Sequence, residues 1–286
     1  KLDRTRSQVQ ALIRGGKVRT GQGKRARSSL IVRSGMAISV SLEPQPVRDI
    51  IPEPVNFGVI WEDEDILVVD KPSGLIVHPS PGHWKGTLVH GLLHKFPEIA
   101  GSGAPGRPGI VHRLDASTSG LMVVARNDRS LDILARAFQE RRVRKEYLAL
   151  VWGVPKAPFG RIDLPIGRNP RNRYRMAISS TGKSAVTDYS VLWSRRGFSL
   201  VKCNLVTGRT HQIRVHMRHI GCPLVGDQLY APRRKTPFGF DRIFLHSWIL
   251  GFDHPRSGEP LLFRAFLHRE LKTFLGEVLT KDRGRP

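Results

Sequence analysis

Apolar residues recur in this chain with helical spacing in some stretches and in strand-like runs in others, and the order of these stretches predicts its organisation. After Thr5-Arg6-Ser7-Gln8, Val9, Leu12 and Ile13 stand at helical spacing, and Gly15-Gly16 stops the run. Val18, then Leu30-Ile31-Val32, then Ile38 to Leu42 read as small strands separated by glycine turns. Pro44, Pro46, Pro52 and Pro54 follow. Proline fixes φ and removes an amide donor, so this stretch reads as an extended linker. The expected division is a small domain over 1–46, a linker over 47–57 and a larger domain over 58–286.

In the larger domain, strands and helices alternate. The run at 66–69 is a buried strand, and 87–96 is a helix with Leu88, Leu92 and Phe96 on one face. A strand at 121–125 leads to a helix over 129–139 with Leu131, Leu134, Ala135 and Phe138 inward. Strands follow at 147–152, 185–192 and 200–205, then a helix at 211–219, strands at 244–250 and 261–266, and a closing helix at 269–279. So many strands joined by short turns do not fit a doubly wound sheet. The expected fold is α+β, with a mixed, largely antiparallel sheet flanked by helices.

Composition adds a partner to this picture. Across 286 residues, 47 Lys and Arg oppose 24 Asp and Glu, a net charge of +23. The first 48 residues hold eleven of the cations and two of the acids. With 40% hydrophobic residues the chain can bury a core, so the charge belongs to a folded protein that binds a polyanion. No apolar run approaches the ~20 residues that span a bilayer. Two cysteines, Cys203 and Cys222, make neither a disulfide framework nor a structural zinc site, which fits a reducing compartment, the cytoplasm or an organelle matrix. The chain opens at Lys1 with no secretory pattern, and its natural start is expected to lie upstream. Arg161, Arg168, Arg171, Arg173 and Arg175 crowd a stretch that includes Tyr174. Arginine pairs with phosphates and stacks on bases, so nucleic acid is preferred over a lipid surface.

Two stretches could carry chemistry. In Gly109 to Gly120 a polar loop holds Asp115 just before an apolar strand, with Arg113 beside it. Nearby cations would keep the carboxylate ionised as a nucleophile, but on local sequence alone the simpler reading is that Asp115 and Ser117 cap a turn. In Thr207 to Met217, Arg214 and Arg218 share one helical face and Ile213, Met217 and Ile220 mark another, which also suits a solvated basic helix. His90 and His94, and His211, His216 and His219, lack the acid that a His-Glu-x-x-His metal site needs, so no metal is expected. Thr181-Gly182-Lys183-Ser184 resembles the end of a phosphate loop, but Ala177 stands where its first glycine belongs. Asp63, Glu64 and Asp65 read as an exposed turn more simply than as a Mg²⁺ site.

The motifs together resemble one family. His112-Arg113-Leu114-Asp115 with Thr118-Ser119-Gly120, and Gly208-Arg209-Thr210-His211-Gln212-Ile213-Arg214-Val215-His216, are similar to the RluA family of pseudouridine synthases. Asp70-Lys71-Pro72-Ser73-Gly74, Lys145-Glu146-Tyr147 and Pro223-Leu224-Val225-Gly226-Asp227 fall in family order, so the resemblance spans 58–266. His78 to Gly82, Gly86-Thr87-Leu88 and Pro108-Gly109-Ile110 look most like the large-ribosomal-subunit synthase D branch, and residues 5–42 resemble an S4 RNA-binding domain that lacks its first helix.

The resemblance implies isomerisation of uridine to pseudouridine in large-subunit ribosomal RNA without a cofactor, after base flipping. It implies Asp115 as the catalytic aspartate, Tyr147 as the active-site tyrosine, Arg214 as the aspartate's partner and Arg113 as an arginine entering the RNA stack. The expected RNA-binding set is Arg113, His112, Arg209 and His211 near the loop, Arg171, Arg173 and Arg175 in the arginine-rich stretch, and Arg6, Arg14 and Lys17 at the amino end. The partner would be structured RNA, large-subunit ribosomal RNA or a pre-ribosomal subunit, bound by a monomer without a membrane. A transfer RNA or another ribosomal loop as substrate, and a non-catalytic assembly factor on the same fold, remain the alternatives.

Overall fold

The structure is a computed structural model and describes residues 6–21, 23–41, 50–80, 82–104, 106–172 and 174–280, without the side chains of 6–8. It divides into two compact units, Lys1–Arg48 and Asp49–Pro286. In the first, helix α1 (Arg6–Arg14) precedes a two-stranded antiparallel ribbon of β1 (Val18–Thr20) and β2 (Ile38–Val40). Gly16 ends the helix at φ 68°, a left-handed conformation that glycine adopts without strain. Leu30-Ile31-Val32, expected as a strand, forms none: Ile31 and Val32 are exposed and, among the described residues, no ladder partner lies beside them. β propensity makes a strand only where another strand pairs with it. Residues 42–49, with Leu42, Pro44 and Pro46, lie outside the described residues. Of the expected linker, Val55 and Phe57 pack so closely on Gly91 that a side chain there would collide with Val55.

The second unit is built on a nine-stranded sheet. Its strands are β3 (Gly58–Glu62), β4 (Ile66–Lys71), β5 (Ser119–Ala125), β6 (Arg144–Trp152), β7 (Phe159–Asp163), β10 (Val186–Arg195), β11 (Phe198–Leu205), β12 (Leu245–Asp253) and β13 (Pro260–Arg264). A separate hairpin pairs β8 (Ile166–Arg168) with β9 (Met176–Ile178). The main order is β3-β4-β5-β12-β6-β11-β10-β7, with β13 paired to the far half of β12. Only β5 and β12 run parallel, so the sheet is mixed and largely antiparallel, as expected. There Gly120 of β5, at φ 105°, comes so close to β12 that any Cβ would run into the Ser247 carbonyl.

Helices cover both faces. On one, α2 (Leu88–Lys95) and α4 (Gln212–His219) pack with Leu67, Met122, Tyr147 and Cys203. On the other, α3 (Asp128–Gln139) packs with Ile66, Leu121 and Phe252, while α5 (Arg269–Thr280) packs with Leu150, Phe198 and Phe244. Because β4 and β5 are covered on both sides they are continuously apolar, which made them legible. In α3 the inward residues are Leu134 and Ala137, with Leu131 and Phe138 beside them; Ala135, expected inward, is exposed. One residue past Leu134, it has turned about 100° away from the core.

The acidic trio does build the β3–β4 turn. Asp63 Oδ1 accepts the amides of Asp65 and Ile66, and Asp65 holds Ser130, Asn127 and Arg256. His254 brings a third potential ligand atom within 4.8 Å of theirs, but both carboxylates are already held by protein donors. His90 serves its own helix, with Nδ1 2.7 Å from the Thr87 hydroxyl in a capping box. Among the described residues, no helix is long and apolar enough to cross a membrane.

Candidate active site

Asp115 ends the loop that enters β5, and its own carbonyl accepts the Thr118 amide to form a tight turn. The next carbonyl, of Ala116, accepts the Gly74 amide at 2.8 Å and the Lys71 ammonium at 3.0 Å. Lys71 is fully buried at the end of β4 and also donates to the carbonyls of Pro72 and Leu75 at 2.8 Å each. It therefore ties the 72–75 turn to the Asp115 loop. Burial, with the charge of Arg242 adding, pulls its pKa from 10.5 to about 7.

The sequence reading left open whether Arg214 lies on a solvated helix face, and the structure buries it instead. Its Nε and Nη2 donate to the two oxygens of Asp227 at 2.8 and 2.9 Å, a bidentate pair in which Asp227 has no exposed side-chain surface. Only Nη1 faces Asp115, at 3.7 Å. The expected Asp115–Arg214 pair is thus a charge contact without a hydrogen bond, because a buried guanidinium takes the partner that can fill its fork. Asp115 keeps oxygen lone pairs free for a ligand. Asp227 also accepts the amides of Leu229 and Tyr230, and the Tyr230 ring lies 4.9 Å beneath the guanidinium. The Tyr230 hydroxyl contacts His211 Nδ1 at 2.9 Å and accepts the Met176 amide of the β8–β9 hairpin at 2.8 Å. His211 adopts φ 57° at the start of α4, which brings its Nε2 to 3.9 Å from Asp115. Burial lowers its pKa, against the pull of Asp115.

Asp115, His211 and Arg214 line a cavity of about 450 Å³. Tyr147 lies in its wall, buried, and burial raises the pKa of its phenol, with the charge of Asp115 adding to the rise. Arg113, Arg141, Lys145, Arg209 and Arg214 line the same space, and among the described residues Asp115 is the only acid that does. Arg113 is exposed, and Arg209 donates to the Ser184 carbonyl. His112 is engaged by the protein: its Nε2 accepts the Val123 amide, and its ring stacks on Phe138 at 4.5 Å. Burial pushes its pKa down to about 3, so it is neutral.

The motif order and this geometry meet in the comparisons. The family description RNA pseudouridylate synthase matches residues 65–219. A Bacillus subtilis (strain 168) protein named uncharacterized RNA pseudouridine synthase YlyB is 42% identical over 98% of this chain and 91% of its own. The chain belongs to the RluA-type RNA pseudouridine synthases. The ribosomal large subunit pseudouridine synthase D of Xanthomonas campestris pv. campestris is 39% identical over 98% of this chain and 86% of that one. Among solved structures, human RNA pseudouridylate synthase domain containing 1 aligns with a TM-score of 0.59 and 31% identity, covering 82% of this chain and 90% of that one.

The synthase brings Asp115, Tyr147, Arg214, Arg113, His112, Arg209 and His211 around one cavity. Arg171 is exposed on the β8–β9 hairpin and Arg175 half-buried, while Arg173 and the side chain of Arg6 lie outside the described residues. Arg161, grouped with them by sequence, is instead paired with Asp188 through two hydrogen bonds. Arg14 and Lys17 belong to the first unit. Sequence reasoning gave no role to Asp227, Tyr230, Lys71 or Lys145. Three of these four stand in the quoted family motifs, and Tyr230 follows Asp227 by one helical turn's spacing.

Proposed function

We propose that this synthase isomerises uridines of large-subunit ribosomal RNA, with Asp115 as the nucleophile acting on a nucleotide swung out of its stack. The observation that carries the reading is a cavity in which, among the described residues, Asp115 is the lone carboxylate, the other charged lining groups are cations and a buried tyrosine stands in the wall. A cationic wall suits RNA, and a single free carboxylate suits attack at a sugar carbon. The ribosomal target is supported by relatives named for the large subunit, such as the Xanthomonas protein.

In the proposed reaction the uracil N1–C1′ bond breaks while Asp115 attacks C1′ or stabilises the positive charge that develops there. The uracil rotates and C5 bonds to C1′, releasing the Asp115 carboxylate wherever it had bonded there; the C5 proton leaves and N1 gains a proton, so the product is an isomer. Arg214, locked from behind by Asp227, holds its remaining Nη1 toward Asp115. Tyr147 offers a ring for the uracil to stack on. The Asp115 side chain is only 19% exposed, so a base inside a helix cannot reach it, and flipping supplies the access. Arg113, Arg209, Arg171, Arg173 and Arg175 grip the surrounding RNA. Residues 1–46 act as a shortened S4-like RNA-binding domain, with Arg6, Arg14 and Lys17 toward phosphates.

The test is release of tritium from C5-labelled uridine in unmodified large-subunit ribosomal RNA, with transfer RNA assayed in parallel. Release from the ribosomal transcript is expected. Release from transfer RNA alone overturns the target, and release from neither overturns the activity on both.

A further inference from the structure

Two lysines are buried near the cavity, and they are held in opposite ways. Lys71 gives its protons to three carbonyls. Lys145, on β6 and only 6% exposed, makes no hydrogen bond and no ion pair to any described residue. Its Nζ lies 5.7 Å from the centre of the Phe138 ring and lines the cavity. The neighbouring acid does not help: Glu146 pairs with Arg144 at 2.6 Å and with Lys202 at 3.9 Å, and adjacent strand residues point to opposite faces. The charge that bears on Lys145 is a second cation, Arg141.

An unpaired cation nine-tenths buried is costly, and such groups persist where a ligand completes them. Arg141 carries a second cost. It follows α3 at φ 63°, in a Schellman turn closed by the Arg142 amide on the Ala137 carbonyl, at the position where glycine is unstrained. Its side chain lines the same cavity. Lys145 and Tyr147 stand two residues apart on one strand, hence on one face and about 7 Å apart, on the scale of a nucleotide.

We propose that Lys145, with Arg141 beside it, forms a phosphate subsite that holds the RNA backbone next to the nucleotide occupying the Asp115 cavity. This rests on the reading of that cavity as the uridine pocket. A phosphate there would supply the acceptor oxygens that the protein withholds from Lys145 and offset the repulsion from Arg141. Holding the backbone on one side of the pocket would fix the flipped nucleotide's sugar relative to Asp115.

The test compares the full chain with Lys145→Gln, using an unmodified large-subunit ribosomal RNA transcript as the probe. RNA affinity is expected to fall roughly tenfold, as for loss of one charged hydrogen-bond partner. The slope of log affinity against log salt should shrink by about 0.7, one phosphate contact on a single strand. The variant's melting temperature in the absence of RNA should match or exceed that of the wild type, since an unpaired charge has been removed. An unchanged salt slope, a failure of the wild type to bind the transcript, or a binding loss accompanied by a lower melting temperature overturns the subsite. Tritium release by the wild type is read separately: its absence counts against the proposed reaction, whereas the binding and melting data alone decide the subsite.

Discussion

On the Asp115 side of the cavity, Arg214 fills its fork with Asp227 and Lys71 satisfies its ammonium with three carbonyls; on the Lys145 side, Lys145 and Arg141 line the same cavity with no protein acceptor for their charges. The first arrangement fixes geometry before any ligand arrives. The second leaves charge unspent, and at Lys145, where that charge is buried, it is a cost that binding can relieve. Substitutions on the first side should therefore damage turnover and stability together, whereas those on the second should weaken RNA binding and spare or improve stability.

The largest effect is expected from Asp115→Ala. Removing the proposed nucleophile should lower single-turnover tritium release by about a thousandfold or more, because residues that act as a unit fail together. RNA affinity by filter binding should stay within a few fold, since no phosphate contact is lost. Turnover at the wild-type rate would break the comparison at its root.

Next is Asp227→Asn. It empties the buried fork of Arg214 and leaves that guanidinium only the 3.7 Å contact with Asp115, and breaking a buried pair this way costs about 3 kcal/mol. Urea denaturation should show that loss, and turnover should fall because Nη1 of Arg214 is no longer held toward Asp115. A variant as stable as the wild type would mean that the Asp115 side is no better preorganised than the other.

The pH dependence of stability sharpens the same contrast. His246 is fully buried beneath the start of β5, 2.9 Å from the Ser119 hydroxyl, and burial, with the charges of His268 and Arg242, lowers its pKa from 6.5 to about 4. As pH falls below 6.5 the unfolded chain takes up this proton and the folded protein refuses it until about pH 4. Its contribution is intact above pH 6.5 and is lost through that window, by about 1.4 kcal/mol per pH unit near pH 5. Denaturation midpoints of the wild type and His246→Gln at pH 7 and pH 5 check this, the variant being the less acid-sensitive.

How much of this could be read from the chain follows from what each feature depends on. The doubly covered β4 and β5 and the helix at 211–219 announced themselves, because burial on two faces or along one helical stripe leaves a local pattern. β3, β7 and the β8–β9 hairpin escaped: β3 and β7 are exposed sheet edges, and the hairpin's strands are only three residues each, too short to show a period. Asp115 and Arg214 could be named only through motif order, since an aspartate in a loop also suits a turn and an arginine on a helix also suits solvent. The Asp227 fork and the unpaired Lys145 were illegible because partnership is a property of space. Thirteen residues separate Arg214 from Asp227 in the chain, and nothing local says which acid will meet which base.

The smallest effect belongs to Arg141→Gly, and it tests both halves of the comparison in one protein. A non-glycine residue in the left-handed region costs about 1 kcal/mol, and Arg141 sits there at φ 63° where glycine would complete the Schellman turn after α3. Glycine should raise the stability measured in urea by about that amount, offset in part by the greater freedom it gives the unfolded chain. It also removes a cation from the cavity wall, so the salt slope of RNA binding should fall by roughly 0.7, as for one phosphate contact. Higher stability with weaker, less salt-dependent binding is the signature of a residue kept for its ligand. Lower stability would mean that Arg141 belongs with the satisfied charges around Arg214, and the two sides of the cavity would no longer differ in kind.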